Sequence, residues 1–147
     1  MKRRPKWISL RAVLAIHERL LAEHGGASGI RDRGLLDSAL DSVRNHFAHG
    51  KTDIFHLAAV HAHALTQNHP FVDGNKRVAF TVAVTFLERN GFRLVAPEPE
   101  AVQVVLALSS QKLRVPALAE WLRESSDRLG QPKVKPRARP ARPPKRR

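Results

Sequence analysis

The sequence predicts an all-α domain, and three observations support that prediction. Apolar residues recur at intervals of three and four in six separate segments, which is the spacing of amphipathic helices. Capping residues, glycines and prolines separate these segments. The chain of 147 residues is long enough to bury one core, and it has no cysteine for a disulfide or a thiolate metal site. We therefore expect a compact bundle of six helices.

The first three helices are predicted from their apolar stripes, and the first two also from capping residues. Ser9–His24 begins at a serine that can act as an N-cap and ends before a glycine-rich connector. Asp32–Phe47 begins at an aspartate that can cap it, and its end runs into a loop-like stretch, residues 44–52. Asp53–Asn68 follows that stretch. His17 lies on the apolar stripe of the first helix, and we interpret it as a packed core histidine.

The last three helices are predicted in the same way. Lys76–Asn90 is apolar on nearly every face, which is typical of a helix in the middle of a bundle. Glu98–Ser109 begins between two prolines, and Pro116–Arg128 has proline at its first helical position, where proline is favoured. The sequence contains no repeat and no hairpin signal.

The net charge of +13 belongs to the two ends of the chain. Residues 1–7 and 130–147 hold 12 of the 26 Lys and Arg residues and no acid, so residues 8–129 carry 14 basic against 13 acidic side chains. We expect a basic N-terminal arm (1–7), one domain (8–129) and a disordered Pro/Arg/Lys-rich tail (130–147) that could bind nucleic acid. No signal peptide or membrane span is predicted, and the expected location is the cytoplasm.

The candidate site is the stretch His-Pro-Phe-Val-Asp-Gly-Asn-Lys-Arg, residues 69–77, between the third and fourth helices. His69 offers a neutral imidazole near pH 7, which is the usual group for removing a proton from an attacking hydroxyl. Pro70 predicts that His69 is extended and that the helix ends before it. Phe71 is expected to anchor the loop in the core and so to fix the direction of its polar side chains.

The second half of this stretch carries groups suited to a phosphate. Asp73 is a single carboxylate, and Mg²⁺ commonly takes one or two protein carboxylates together with phosphate oxygens and water. Gly74 permits a tight turn and close approach of a ligand. Asn75, Lys76 and Arg77 open a helix, where exposed N–H groups and cationic side chains bind anions. Together with a base, these groups predict transfer of a phosphate-containing group to a hydroxyl.

Other interpretations of the same residues are weaker. Each residue alone fits an ordinary turn and a solvated helix start, but a turn needs no histidine four residues before its aspartate. The stretch is not a P-loop, because it lacks the required first glycine and the Ser/Thr after Lys76. His56, His61, His63 and His69 could suggest a zinc or di-metal phosphohydrolase. However, His61 and His63 are two residues apart and point in different directions on a helix, and the chain has neither a His-Asp dipeptide nor His-Glu-x-x-His.

Residues 69–77 resemble the Fic/Doc (Fido) signature, His-x-Phe-x-Asp/Glu-Gly-Asn-x-Arg, in the form found in Doc, the death-on-curing toxins. Residues 29–40 resemble the second-helix region of that family, and residues 118–122 resemble its closing Leu-Ala-x-Trp-Leu. The resemblance covers roughly residues 8–128 and excludes the tail. It implies the compact helical Fido fold, with the active-site loop between two central helices.

The resemblance also implies nucleotide-dependent modification of a protein hydroxyl, with ATP and Mg²⁺ as cofactors. His69 would be the general base and Asp73 would hold Mg²⁺. Residues 74–77 would surround the nucleotide phosphates, and Arg77 joins His69 and Asp73 as an expected catalytic residue. Residues 44–52 stand where we expect the family's target-docking flap. Some Fic proteins inhibit themselves through Ser/Thr-x-x-x-Glu-Gly/Asn, which has no match here, so a partner antitoxin is the expected inhibitor.

Lys76 distinguishes between two reactions. Most Fic proteins transfer AMP and carry a second glycine at this position, whereas Doc-type proteins carry lysine, and in them ATP is thought to give up its γ-phosphate. The resemblance thus implies a kinase-like toxin whose expected target is a threonine of elongation factor Tu, arresting translation. Two alternatives stay open: AMP transfer to a protein hydroxyl, and a non-catalytic module that binds nucleic acid through its basic tail.

Overall fold

A computed structural model describes residues 4–130, so residues 1–3 and the predicted tail from residue 131 lie outside the described part of the chain. The elements are α1 (Leu10–His24), α2 (Arg33–Ala48), α3 (Ile54–Asn68), α4 (Asn75–Arg89), β1 (Phe92–Leu94), α5 (Glu98–Ser109), α6 (Val115–Glu124) and β2 (Ser126–Arg128). The prediction of a six-helix, all-α domain is confirmed. None of these helices is long and apolar enough to span a membrane.

The centre of the domain is the pair α3 and α4. α3 packs against α2, α4 and α6, and α4 also packs against α1 and α5. Both helices bury side chains over most of their circumference, among them Leu57, Leu65, Val82 and Phe86. Burial of such residues stabilises the folded state by about 1.5–3 kcal/mol each. Because the loop between α3 and α4 is attached to the core at both ends, its position is fixed by the most buried part of the molecule.

The predicted last helix, Pro116–Arg128, is wrong at its C-terminal end. α6 ends at Glu124, and β2 pairs antiparallel with β1, so that Phe92 lies opposite Arg128. The Arg128 guanidinium also lies over the Phe92 ring, 5.2 Å from its centroid. The two strands are far apart in sequence and have three residues each, so no local hairpin pattern predicts them. The short sheet attaches the end of α6 to the end of α4.

The predicted loop over residues 44–52 is also corrected. α2 continues to Ala48, and only the short connector after it, residues 49–53, is irregular. Inside this last turn of α2, His46 Nδ1 lies 3.0 Å from His56 Nε2 on α3, which packs the two helices together. The polar composition that suggested a loop is the composition of an exposed helix end.

The described N-terminal residues, 4–7, lie against the domain. Trp7 stacks on Phe86 with ring centroids 6.0 Å apart and meets Phe47 edge-on at 5.7 Å. The side chain of Asn90, at the end of α4, accepts a hydrogen bond from the Lys6 N–H and donates one to the Lys6 carbonyl. This stretch therefore packs at the end of α4 that is distant from the active-site loop.

Candidate active site

A cleft of about 640 Å³ lies between the C-terminal half of α1, the loop after α3 and one face of α5. Its volume falls within the range of about 300–1,000 Å³ that is usual for small-ligand pockets. The loop and the start of α4 supply its polar side, which includes His69, Asp73, Lys76 and Arg77. α5 supplies an apolar wall formed by Ala101, Val102, Val105 and Leu106. The structure thus places the expected base, carboxylate and cations on one cleft.

His69 follows α3 directly and its side chain is exposed beside the cleft. The helix ends at Asn68, as predicted, but the expected extended conformation of His69 is wrong. His69 has φ 51° and ψ 54°, in the left-handed region, and its N–H donates to the Leu65 carbonyl at 3.1 Å. A left-handed residue is a common way to end a helix, although the position usually holds glycine. This turn sends Pro70 into the core while the imidazole stays outside.

Phe71 and Asn75 close the loop from the inside. Phe71 is fully buried, as an anchoring role requires. The buried Asn75 amide accepts the Phe71 N–H at 2.9 Å and donates to the Phe71 carbonyl, also at 2.9 Å. The Asn75 side chain is therefore occupied by the loop itself. Its expected contribution to phosphate binding would come from its backbone N–H.

Asp73 is held at the mouth of the loop by two backbone donors. Its Oδ2 accepts the Ala27 N–H at 3.1 Å, and its Oδ1 accepts the N–H of Gly74 at 2.9 Å. These two hydrogen bonds, with a smaller contribution from the Arg77 charge, lower the pKa of Asp73, so the group is a carboxylate at neutral pH. Its exposure and charge fit a hard cation such as Mg²⁺, which would take its other ligands from phosphate and water.

The start of α4 has the properties of an anion site. Gly74 has φ 82°, a conformation that favours glycine, and it offers no side-chain cap to the first N–H groups of the helix. Lys76 and Arg77 are exposed on the first turn and line the cleft. Unpaired N–H groups, the positive end of the helix dipole and two cations together favour a bound phosphate.

His17 is a site residue whose role was missed from the sequence. Its burial confirms the prediction of a packed histidine. Its Nε2, however, lies 3.0 Å from the Asp73 carbonyl oxygen, and its ring stacks on Phe71 with centroids 3.9 Å apart. The contact spans 56 positions, and no local signal marks it.

The segment between α1 and α2 lies along the active-site loop. The Val72 N–H donates to the Gly29 carbonyl at 3.0 Å, and Ile30 forms an isolated antiparallel bridge with Phe71. Gly26 has φ 120°, a conformation that favours glycine, and a Cβ atom there would lie 2.9 Å from Asp73 Oδ2. Residues 26–31 therefore contact the active-site loop directly.

Residues 44–52 lie away from the active-site loop, and their expected docking role stays a prediction. The connector after α2 leads into the N-terminal end of α3, whereas His69 follows the C-terminal end. Since α3 has 15 residues, the two ends are about 22 Å apart. The cleft is not lined by any residue of that stretch.

The other histidines of α3 do not join His69. His61 is buried, its Nδ1–H donates to the Leu57 carbonyl, and burial lowers its pKa to about 4. His63 is partly buried, and desolvation followed by the Arg114 charge lowers its pKa. Within residues 4–130 no group of three or more His, Asp or Glu side chains could hold a metal ion. The described part of the chain thus gives no support to a multi-histidine hydrolase site.

Comparisons with known proteins agree with this geometry. Residues 7–87 match the model of the Fic/DOC family. The chain is 31% identical over 117 residues to "Protein kinase doc" of Escherichia phage P1, an alignment that covers 79% of this chain and 92% of that protein. It is 39% identical over 74 residues to "Toxin Doc" of Mycolicibacterium smegmatis, covering 49% of this chain and 57% of that protein. The resemblance found in residues 69–77 is confirmed, and the chain belongs to the Fic/Doc family.

Proposed function

We propose that the protein is a Doc-like toxin that transfers the γ-phosphate of ATP to a hydroxyl of a target protein. The observation that carries the proposal is the placement of His69, Asp73 and the first turn of α4 on one cleft. A base, a metal-binding carboxylate and a phosphate site are the parts that phosphoryl transfer to a hydroxyl requires. The apolar wall on α5 offers a surface for the nucleoside, which supports a nucleotide as the donor.

In this proposal each residue has one chemical role. The His69 imidazole removes the proton from the target hydroxyl as its oxygen bonds to the γ-phosphorus, and the bond from that phosphorus to ADP breaks. Lys76, Arg77 and the N–H groups of α4 stabilise the charge on the transferred phosphoryl group. Asp73 would hold Mg²⁺, which neutralises phosphate charge when bound.

Lys76 and the names of the relatives favour phosphate over AMP. Lys76 stands on the first turn of α4, where its ammonium can reach a terminal phosphate in the cleft. A relative that aligns over most of the chain bears the name of a protein kinase. AMP transfer stays the alternative, because the same cradle can hold the α-phosphate instead.

The target and the inhibitor are proposed from the family. A relative is named as a toxin, and the family resemblance suggests elongation factor Tu as the modified protein and arrest of translation as the result. The chain lacks the Ser/Thr-x-x-x-Glu-Gly/Asn pattern of self-inhibited Fic proteins, which supports control by a separate antitoxin.

The deciding experiment is a transfer assay with labelled ATP. Purified protein, elongation factor Tu and Mg²⁺ are incubated with ATP labelled at either the γ- or the α-phosphate. We expect only the γ-label to reach the target, with a mass increase of one phosphate. Transfer of the α-label alone would instead establish AMP transfer. A variant that ends at Gly130 tests the nucleic-acid alternative, because we expect it to retain full transfer activity.

A further inference from the structure

We infer that Arg31 is a positioning residue that holds His69 in the backbone conformation needed for catalysis. The inference rests on the proposed function only in taking His69 as the base. Arg31 lies on the segment between α1 and α2 and does not line the cleft, so it would act through His69.

The backbone of His69 is strained. Among non-glycine residues of the described chain, two have positive φ, His69 and Gln111. The residue before a proline disfavours helical geometry and prefers extended backbone, so Pro70 works against the observed conformation. A strained residue of this kind persists only where its surroundings determine it, and such residues cluster at functional sites.

Hydrogen bonds from Arg31 hold the His69 backbone in this left-handed conformation. Arg31 Nε donates to the His69 carbonyl at 2.7 Å, and Arg31 Nη2 donates to the Asn68 carbonyl at 3.0 Å. The backbone N–H of Arg31 also donates to the Pro70 carbonyl at 2.7 Å. The guanidinium thus grips two successive carbonyls in a fork and adds positive charge at the C-terminal end of α3. Three consecutive peptide groups are fixed by one residue.

Arg31 is itself held in place by its neighbours in the chain. The N–H of the next residue, Asp32, donates to the same Pro70 carbonyl at 3.0 Å, and the Asp32 side chain caps α2. The preceding residue, Ile30, forms the bridge with Phe71. The fork therefore projects from a segment that is bonded to the loop on both sides of Arg31.

The hydrogen bonds from Arg31 also determine where the His69 imidazole lies. When the two side-chain bonds are removed, the His69 carbonyl is released and the backbone can turn toward the extended region. That rotation about Cα would move the imidazole relative to Asp73 and α4, which stay fixed by Phe71 and Asn75. A displacement of about 1 Å between reacting groups can reduce the rate by about 100-fold.

The test compares Arg31→Ala and Arg31→Lys with Arg33→Ala, whose arginine is an exposed neighbour paired with Asp37 at 3.6 Å. We expect Arg31→Ala to lower kcat by about 10- to 100-fold while the KM for ATP changes less than twofold, because the phosphate cradle on α4 is untouched. Arg31→Lys should recover only part of kcat, since one ammonium cannot bond both carbonyls in the same fork. Arg33→Ala should match the wild type.

A second readout separates this inference from the proposed function. The rate is measured for whichever label the wild type transfers, and a crystal structure of Arg31→Ala gives the φ angle of His69. If the wild type transfers neither label, the proposed function fails, and the φ angle alone decides the inference. A variant that keeps His69 left-handed, or that keeps the wild-type kcat, would overturn it. So would equal losses in kcat and in the folded fraction, which indicate a merely structural role.

Discussion

The two ends of α3 both gather arginine and histidine side chains, but they use them differently. At the N-terminal end, Asp53 caps the helix through the Phe55 N–H and pairs with Arg123 at 2.6 Å. His46 and His56 meet there as well. At the C-terminal end, the Arg31 side chain donates hydrogen bonds to two backbone carbonyls, and the His69 imidazole stays exposed at the cleft.

The difference shows how a helix end that carries a candidate active site departs from an ordinary one. At the start of α3 polar side chains satisfy one another, which is the usual arrangement at a helix cap. At its end a strained residue is held by a separate segment of the chain, and its own side chain takes no part in that support. At the C-terminal end of α3, hydrogen bonds to the backbone provide the stability, so the His69 side chain remains available for chemistry.

The largest expected effect separates the two ends by activity. We expect His69→Ala to lower the transfer rate by about 10²- to 10⁴-fold, which is the usual contribution of a general base. His56→Gln, near the other end of α3, should leave the rate within about twofold, because the 13 positions between His56 and His69 span about 20 Å of helix. The rates are measured with labelled ATP, and thermal melting confirms that both variants fold.

Either of two results would contradict this difference between the two ends of α3. A His69→Ala variant with near wild-type activity would remove His69 as the base, whatever the reaction is. A large loss in His56→Gln would mean that both ends of α3 contribute to the chemistry.

A smaller effect is expected from the residue that closes the loop. Asn75→Ala leaves the buried N–H and carbonyl of Phe71 without partners, which should lower the free energy of unfolding by about 2–4 kcal/mol. Asn45→Ala is the matched control near the other end of α3, where an exposed asparagine should cost about 0.5 kcal/mol or less. Urea denaturation measures both. Equal stability of the two variants would show that the Asn75 amide does not hold the loop.

The sequence predicted the parts of the site that depend on neighbouring residues. The N-caps of α1 and α2 and the end of α3 before His69 follow from local chemistry, whereas the anion site at the start of α4 stays a prediction. The order of chemical types in residues 69–77 was enough to predict the class of reaction, because each type is suited to one step.

What the sequence did not predict depends on contacts between distant positions. Arg31 and His69 are 38 positions apart, and His17 and Asp73 are 56 positions apart. The left-handed turn at His69 contradicts the local preference before Pro70, and it is determined by those tertiary contacts. For the same reason the pairing of β1 with β2 and the position of the 26–31 segment over the loop were visible only in the folded chain.

The smallest expected effect tests the other end of α3 by its pH dependence. Desolvation lowers the pKa of His56, with further lowering by His46 and Lys51, while Asp53 acts to raise it. Below about pH 6.5 the unfolded chain therefore binds a proton at His56 before the folded chain does, and the free energy of unfolding falls as the pH falls through this window. His56→Gln cannot titrate, so its stability should fall less than that of the wild type between pH 7 and pH 5.

Unfolding and phosphate transfer are both measured on the wild type and on His56→Gln, so that the two ends of α3 are compared in the same proteins. Urea denaturation should show the weaker pH dependence in His56→Gln, whereas the pH profile of kcat should be the same in both proteins, since His69 and its supports are untouched. Equal pH dependence of stability would argue against a desolvated His56. A shifted kcat profile would show that the start of α3 communicates with its end, and that the separation between a stabilising end and a catalytic end does not hold.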